Sequence, residues 1–224
     1  MTDNNMADNK RISEDPQSGP NSISNLPHTA RLSWRVVDII VASVIGVVSA
    51  FVYWGGSWVY EALKPLFAFI PGTIGLVNGV FLLAGPLAAV IVRKPGAAIY
   101  AELVGSVLEA LLGNAWGGAE TIVSGLIQGL GAELIFLFCL YRVWNWLTCT
   151  LSGLLSGLAC YIGYAFLGYL QGDSLTKKMI EGTCTCVSGA LLAGLVMWFL
   201  YVAIARTGAL DRFASGRIIR QNSR

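Results

Sequence analysis

The chain has 224 residues, of which 12% are charged and 55% hydrophobic. An ordinary globular chain carries roughly 25% charged residues, and only fourteen of the 28 charges here lie between residues 36 and 205. That balance excludes a soluble domain, a secreted disulfide scaffold, a disordered chain and a nucleic-acid binder, and it indicates a polytopic membrane protein.

Residues 1–32 are rich in Asn, Asp, Ser and Pro, and the sequence predicts a disordered cytoplasmic tail there. The segment lacks a basic start followed by an apolar run, so no signal peptide is expected. It holds His28, the single histidine, which leaves no imidazole for metal or acid–base chemistry in the rest of the chain. Six apolar spans follow, at about 34–54, 74–92, 96–112, 120–141, 146–170 and 179–205. Most approach the ~20 residues needed to cross ~30 Å of hydrocarbon. The stretch 58–71 is shorter and contains Glu61, Lys64, Pro65 and Pro71. It reads as an interfacial or re-entrant helix; read as a span instead, it would make seven. The expected fold is an all-α integral membrane protein. A six-helix bundle over 33–206 carries a short interfacial helix in its first outer loop and a basic cytoplasmic tail over 207–224.

Loop charge sets the direction. With six spans, Lys10, Arg11, Arg31, Arg35, Arg93, Lys94, Arg142, Arg206, Arg212, Arg217, Arg220 and Arg224 fall on one side, against Lys64, Lys177 and Lys178 on the other. The positive-inside rule then makes both termini cytoplasmic. The outer side holds 55–73, 113–119 and 171–178.

Lipid gives helices no hydrophobic reason to associate, so small residues mark close packing. Gly125-x-x-x-Gly129 in span four, and Ser152/Gly153 with Ser156/Gly157 in span five, suit packing inside the bundle. Ala42-x-x-x-Gly46-x-x-x-Ala50 in span one suits either internal packing or a partner. The five cysteines, Cys139, Cys149, Cys160, Cys184 and Cys186, sit in apolar stretches without metal or redox spacing, and read as packing residues.

Ionisable groups inside spans cost at least ~2.5–3.5 kcal/mol at the bilayer centre, so each needs a reason. They are Asp38, Glu102, Glu109, Glu133 and Glu181, with Glu120 at an outer mouth. Asp38 lies one turn into its span, where Arg35, Arg93 or Arg142 can neutralise it. Glu102 and Glu109 are seven apart and share a helix face. The hairpin of spans three and four offers Glu109, Asn114, Trp116, Glu120 and Gln128 in its outer half. Carboxylates, amides and an indole suit a flat, nitrogen-rich, neutral or cationic ligand, because a carboxylate accepts paired N–H bonds and Trp stacks on a ring. For any one of these residues an interhelical hydrogen bond is the competing reading. Tyr53, Trp54, Trp58, Tyr60 and Trp116 concentrate at the same mouth, as an interfacial belt or as part of a site. No GxxxxGK[ST], HExxH or GxSxG motif occurs, so neither an enzyme nor a cofactor is expected, and the chain cannot hydrolyse ATP itself. A stand-alone proton-coupled carrier or channel using Glu102, Glu109 and Glu133 is the alternative.

The run Arg93-Lys94-Pro95-Gly96-Ala97-Ala98, then Glu102, then Gly113-Asn114-Ala115-Trp116-Gly117, then Gly129-Leu130-Gly131-Ala132-Glu133 resembles the YkoE-type substrate-binding (S) component of energy-coupling factor (ECF) transporters. The resemblance covers about 33–206. It implies a six-helix, multi-pass protein of a bacterial-type plasma membrane that takes up thiamine or its precursor hydroxymethylpyrimidine. It also implies an outward pocket capped by the first outer loop, where Trp58 and Tyr60 would close over the ligand. Glu109 or Glu120 with Trp116 would hold the pyrimidine. Glu102 and Glu133 match the family pattern and join the ligand-binding candidates, at a depth that also suits a structural role. The small face of Ala42, Gly46 and Ala50 would dock on a transmembrane coupling protein, and partner cytoplasmic ATPases would supply the energy.

Overall fold

The first helix, α1 (Val36–Phe67), starts where Arg35 meets Asp38. The Arg35 backbone N–H donates to Asp38 Oδ2 at 2.9 Å and its guanidinium pairs with Oδ1 at 2.9 Å. That arrangement caps the helix and neutralises a side chain that is fully buried. The computed structural model describes residues 33–221. The tail expected over 1–32, His28 included, lies outside the described residues.

α1 spans Val36–Phe67. A 3₁₀ helix, Thr73–Leu82, runs into α2, Ala84–Val92. α3 is Ala97–Leu112, α4 Gly118–Phe138 and α5 Trp146–Phe166. α6, Leu175–Ser188, continues through a π-helical stretch, Gly189–Val196, into α7, Met197–Arg206. α8, Ala214–Gln221, follows a turn. Among the described residues there is no strand. Among the described residues, five stretches are long and apolar enough to cross a bilayer: Val36–Phe67, Thr73–Val92, Gly118–Phe138, Trp146–Phe166 and Leu175–Arg206. α3 is a sixth packed helix, of 16 residues.

A separate short helix over 58–71 is not what forms. α1 runs without a break for 32 residues, about 48 Å at ~1.5 Å each. Gly55 and Gly56 each cost about 1 kcal/mol of helix propensity, but neither takes a positive φ. Ser57 Oγ also returns a 2.7 Å bond to Trp54 O, which keeps the turn closed. The chain turns only after Pro65, at Gly72, whose φ of 95° a side chain would oppose.

Small residues set the helix spacing. Ala42, Gly46 and Ala50 are buried within the bundle, and α1 packs most extensively on α3. A Cβ on Gly46 would lie 2.8 Å from both Ala101 O and Val104 Cβ. The face expected to dock a coupling protein is therefore consumed inside the chain, because α1 needs its own close contact to join the bundle. The glycines of α4 and α5 also pack internally: Gly125 against Ser106, Gly129 against Ile99, and Gly157 against Thr185.

The end of the bundle that holds Arg93 is tightly fastened. Trp34 Nε1 donates to Pro95 O at 2.9 Å, and Arg93 Nη2 donates to Tyr201 Oη at 3.2 Å. Tyr201 Oη in turn donates to Ser215 O, and Ser215 Oγ donates to Ile91 O, each at 2.8 Å. The basic segment 207–221 is thus docked on the bundle through Phe213 and Ser215, both buried.

Candidate functional site

At the opposite end the helices part around a cavity of about 680 Å³. That falls in the ~300–1,000 Å³ range of small-molecule sites. The last turns of α1, the 3₁₀ helix, the end of α3, the start of α4, the end of α5 and the start of α6 form its walls.

The loop 113–117 builds one wall. Gly113 and Gly117 take φ of 80° and 109°, which lets the chain reverse in few residues. α1 holds this loop from outside: Trp54 Nε1 donates to Gly113 O at 3.1 Å, and Ala115 N–H reaches Ser57 Oγ at 3.4 Å. Asn114 holds it from inside, accepting from Gly117 N–H at 2.9 Å and donating to Thr121 Oγ1 at 2.7 Å and Glu109 Oε1 at 3.1 Å. Trp116 is thereby laid edge-on against Tyr60 and Phe81, each with ring centroids 5.3 Å away. Tyr164 and Tyr169 also line the cavity, paired with each other at 5.7 Å.

Glu109 is 96% buried and faces this space, with one oxygen on Asn114 and no partner for the other among the described residues. Gln128 lines the floor at 5% exposure, its amide N–H on Cys160 Sγ at 3.3 Å. Glu120 lies at the rim and accepts from Tyr169 Oη. The lining also includes Glu61, Asp173, Glu181, Lys64 and Lys177. Lys64 pairs with Glu61 at 2.6 Å and Lys177 with Asp173 at 2.8 Å. The cavity therefore holds aromatic faces, an amide and an excess of carboxylate. Such a set binds planar rings bearing N–H groups or positive charge.

Five of the sequence-derived candidates meet here: Glu109, Trp116, Glu120, Gln128 and Tyr60. Asn114 stands behind them and orients Glu109. Trp58 does not join them; it is 54% exposed and absent from the lining. The pair was expected to close as a loop, but both residues lie on one continuous helix, and positions two apart do not share a face.

Glu102 and Glu133 lie elsewhere, in matching roles. Where the 3₁₀ helix gives way to α2, backbone N–H groups lose their usual acceptors inside an apolar interior, which costs several kcal/mol per group if nothing replaces them. Gly85 N–H donates to Glu102 Oε1 at 2.8 Å, and Ala84 N–H donates to Tyr53 Oη at 2.9 Å. Tyr53 Oη in turn donates a hydrogen bond to Glu102 Oε2 at 2.9 Å. Glu133 serves the start of α3 in the same way: Gly96 and Ala98 N–H donate to its two oxygens at 2.7 and 2.9 Å, and Tyr141 Oη adds a third bond at 2.7 Å. Neither carboxylate lines the cavity.

Sequence reasoning left Phe81, Tyr164 and Glu181 out of the site. Phe81 and Tyr164 carry no signal among so many apolar neighbours. Glu181 is one of the few charges within a span, and that cost was the available clue. Among the described residues, no group of three His, Cys, Asp or Glu side chains is placed to hold a metal ion.

Comparisons with known proteins point one way. The profile of a family described as an ABC-type cobalt transport system, permease component, matches residues 37–159. A protein of Bacillus subtilis (strain 168), YkoE, named as a candidate HMP/thiamine permease, is 33% identical over 189 residues, covering 84% of this chain and 94% of its own length. A crystal structure of an S component of an ECF transporter superposes with a TM-score of 0.80 at 33% identity, covering 85% of this chain and 95% of that one.

Proposed function

We propose, since the chain belongs to the YkoE-type S components of ECF transporters, that it captures hydroxymethylpyrimidine or thiamine in the 680 Å³ cavity. The observation that carries this reading is Glu109: the residue is 96% buried, one carboxylate oxygen is held by Asn114 and the other is left to the cavity that Trp116 also lines. In this reading Glu109 accepts N–H bonds from the aminopyrimidine, Trp116 and Tyr60 supply ring contacts, and Gln128 and Glu120 complete the polar lining. Asn114 positions Glu109. The excess of carboxylate suits the thiazolium cation of thiamine.

The membrane domain covers 33–206 and crosses six times, with α3 as the short crossing. The cavity opens outward and both termini are cytoplasmic, the side that collects twelve of the fifteen basic residues. A transmembrane coupling protein and partner ATPases drive uptake, because the chain has no phosphate-binding loop. The relay reading of Glu102, Glu109 and Glu133 is disfavoured, since Glu102 and Glu133 spend both oxygens on backbone N–H and tyrosine hydroxyl groups.

Titration of the purified protein in detergent, followed by Trp emission and calorimetry, tests the reading. Thiamine or hydroxymethylpyrimidine is expected to bind at submicromolar concentration, and Glu109→Gln and Trp116→Ala to weaken binding. No saturable binding of either compound would refute it. Uptake that survives loss of the partner ATPases and collapses with the proton gradient would favour a stand-alone carrier instead.

A further inference from the structure

In the cavity lining, both ammonium groups are already committed, Lys64 to Glu61 and Lys177 to Asp173. Three lining carboxylates form no ion pair: Glu109, Glu120 and Glu181. Glu109 accepts from Asn114 and Glu120 from Tyr169. Glu181 is different. Its residue is 92% buried, it faces the cavity, and no hydrogen bond or ion pair reaches its carboxylate among the described residues. Lys177, one turn before it on α6, is turned to Asp173 at 2.8 Å.

The position of Glu181 is firmly held. The chain entering the 3₁₀ helix packs on α6 at this level through two glycines. A Cβ on Gly72 would come within 2.7 Å of Lys177 O and 3.0 Å of Glu181 N, and one on Gly75 within 2.6 Å of Glu181 O. Glu109 belongs to α3 and Glu181 to α6, helices that do not form a packed pair. The site therefore has two carboxylate poles on different helices, with the aromatic group of Tyr60, Phe81 and Trp116 in the same lining. A carboxylate that the protein leaves unbonded and open to the cavity is available to an incoming positive charge.

We infer that Glu181 is a second ligand anchor, and that it selects ligands carrying positive charge on a group separate from the ring held at Glu109. This rests on the thiamine reading above and sharpens it: the preferred ligand is the cationic, two-ring compound rather than the neutral single pyrimidine. Affinity for thiamine is compared with that for an analogue whose thiazolium is replaced by a neutral thiophene, in the wild type and in Glu181→Gln. The wild type should favour thiamine by about tenfold or more, the scale of one charge-assisted contact. Glu181→Gln should bring that preference close to one while leaving affinity for the neutral analogue unchanged.

Equal binding of the two compounds by the wild type would overturn the assignment without recourse to a variant. So would a variant that keeps the preference, or that loses both compounds equally. A wild type that binds neither compound, nor hydroxymethylpyrimidine, would overturn the ligand reading itself, which is a distinguishable result. A melting curve of Glu181→Gln matching the wild type identifies any affinity change as local.

Discussion

Glu102 and Glu109 lie on one face of α3, two turns apart, yet do opposite work. Glu102 is fully buried and saturated, holding the start of α2 and Tyr53. Glu109 is nearly as buried, but one of its oxygens is left for the cavity. Glu133 repeats the first role at the start of α3, and Glu181 repeats the second on α6. A carboxylate in this apolar interior therefore meets one of two surroundings. Where a helix begins inside the bundle, orphan N–H groups take it. Where helices part, an oxygen is left facing the cavity. Burial alone does not separate the two kinds; the hydrogen-bond inventory does.

The largest expected effect lies on the saturated side. Glu133→Ala strips an acceptor from two backbone N–H groups and the Tyr141 hydroxyl. At about 1–3 kcal/mol per buried donor left unpaired, it should destabilise the fold by roughly 3–5 kcal/mol, read as a lower melting temperature in detergent. Glu102→Ala should follow closely, with Gly85 N–H and the Tyr53 hydroxyl left without their acceptor. If either variant melts like the wild type but loses ligand, the saturated carboxylates belong to the binding site and the comparison breaks.

Gly46→Leu comes next. The new side chain meets Ala101 O and Val104 in the α1–α3 contact, and overpacking of this kind costs about 1–3 kcal/mol. A stable variant that still loses transport would return the small-residue face to the coupling protein.

On the unsaturated side, Glu109→Gln should lower thiamine affinity about tenfold to a hundredfold, the value of a charge-assisted bond at ~1.5–3 kcal/mol, with an unchanged melting curve. Trp58→Ala should do least. The residue is 54% exposed and absent from the cavity lining, so binding is expected to stay within about twofold, since surface substitutions rarely exceed ~0.5 kcal/mol. A large loss there would mean that the end of α1 folds over the ligand.

Much of this layout was legible in the sequence, and the parts that were not share a cause. Apolar runs located the long helices, because crossing hydrocarbon demands them. Arg35 and Asp38 are three apart, so their pairing is local and readable. Glu109, Asn114, Trp116 and Gln128 cluster because a tight hairpin brings α3 and α4 together. The continuity of α1 through Gly55 and Gly56 was not legible, since glycine permits a break without requiring one. The inward turn of Ala42, Gly46 and Ala50 depends on where α3 docks. The capping roles of Glu102 and Glu133 depend on N–H groups 17 and 35–37 residues away. Glu181 reaches the cavity through packing of the 3₁₀ helix on α6, and no local pattern encodes that contact.

The most direct test of the division between saturated and open carboxylates is a structure of the protein with thiamine bound. The pyrimidine is expected against Trp116 with its amino group on Glu109, and Glu102 still bonded to Gly85 N–H and Tyr53. Thiamine bound outside this cavity, or Glu102 released from α2 to hold the ligand, would contradict it.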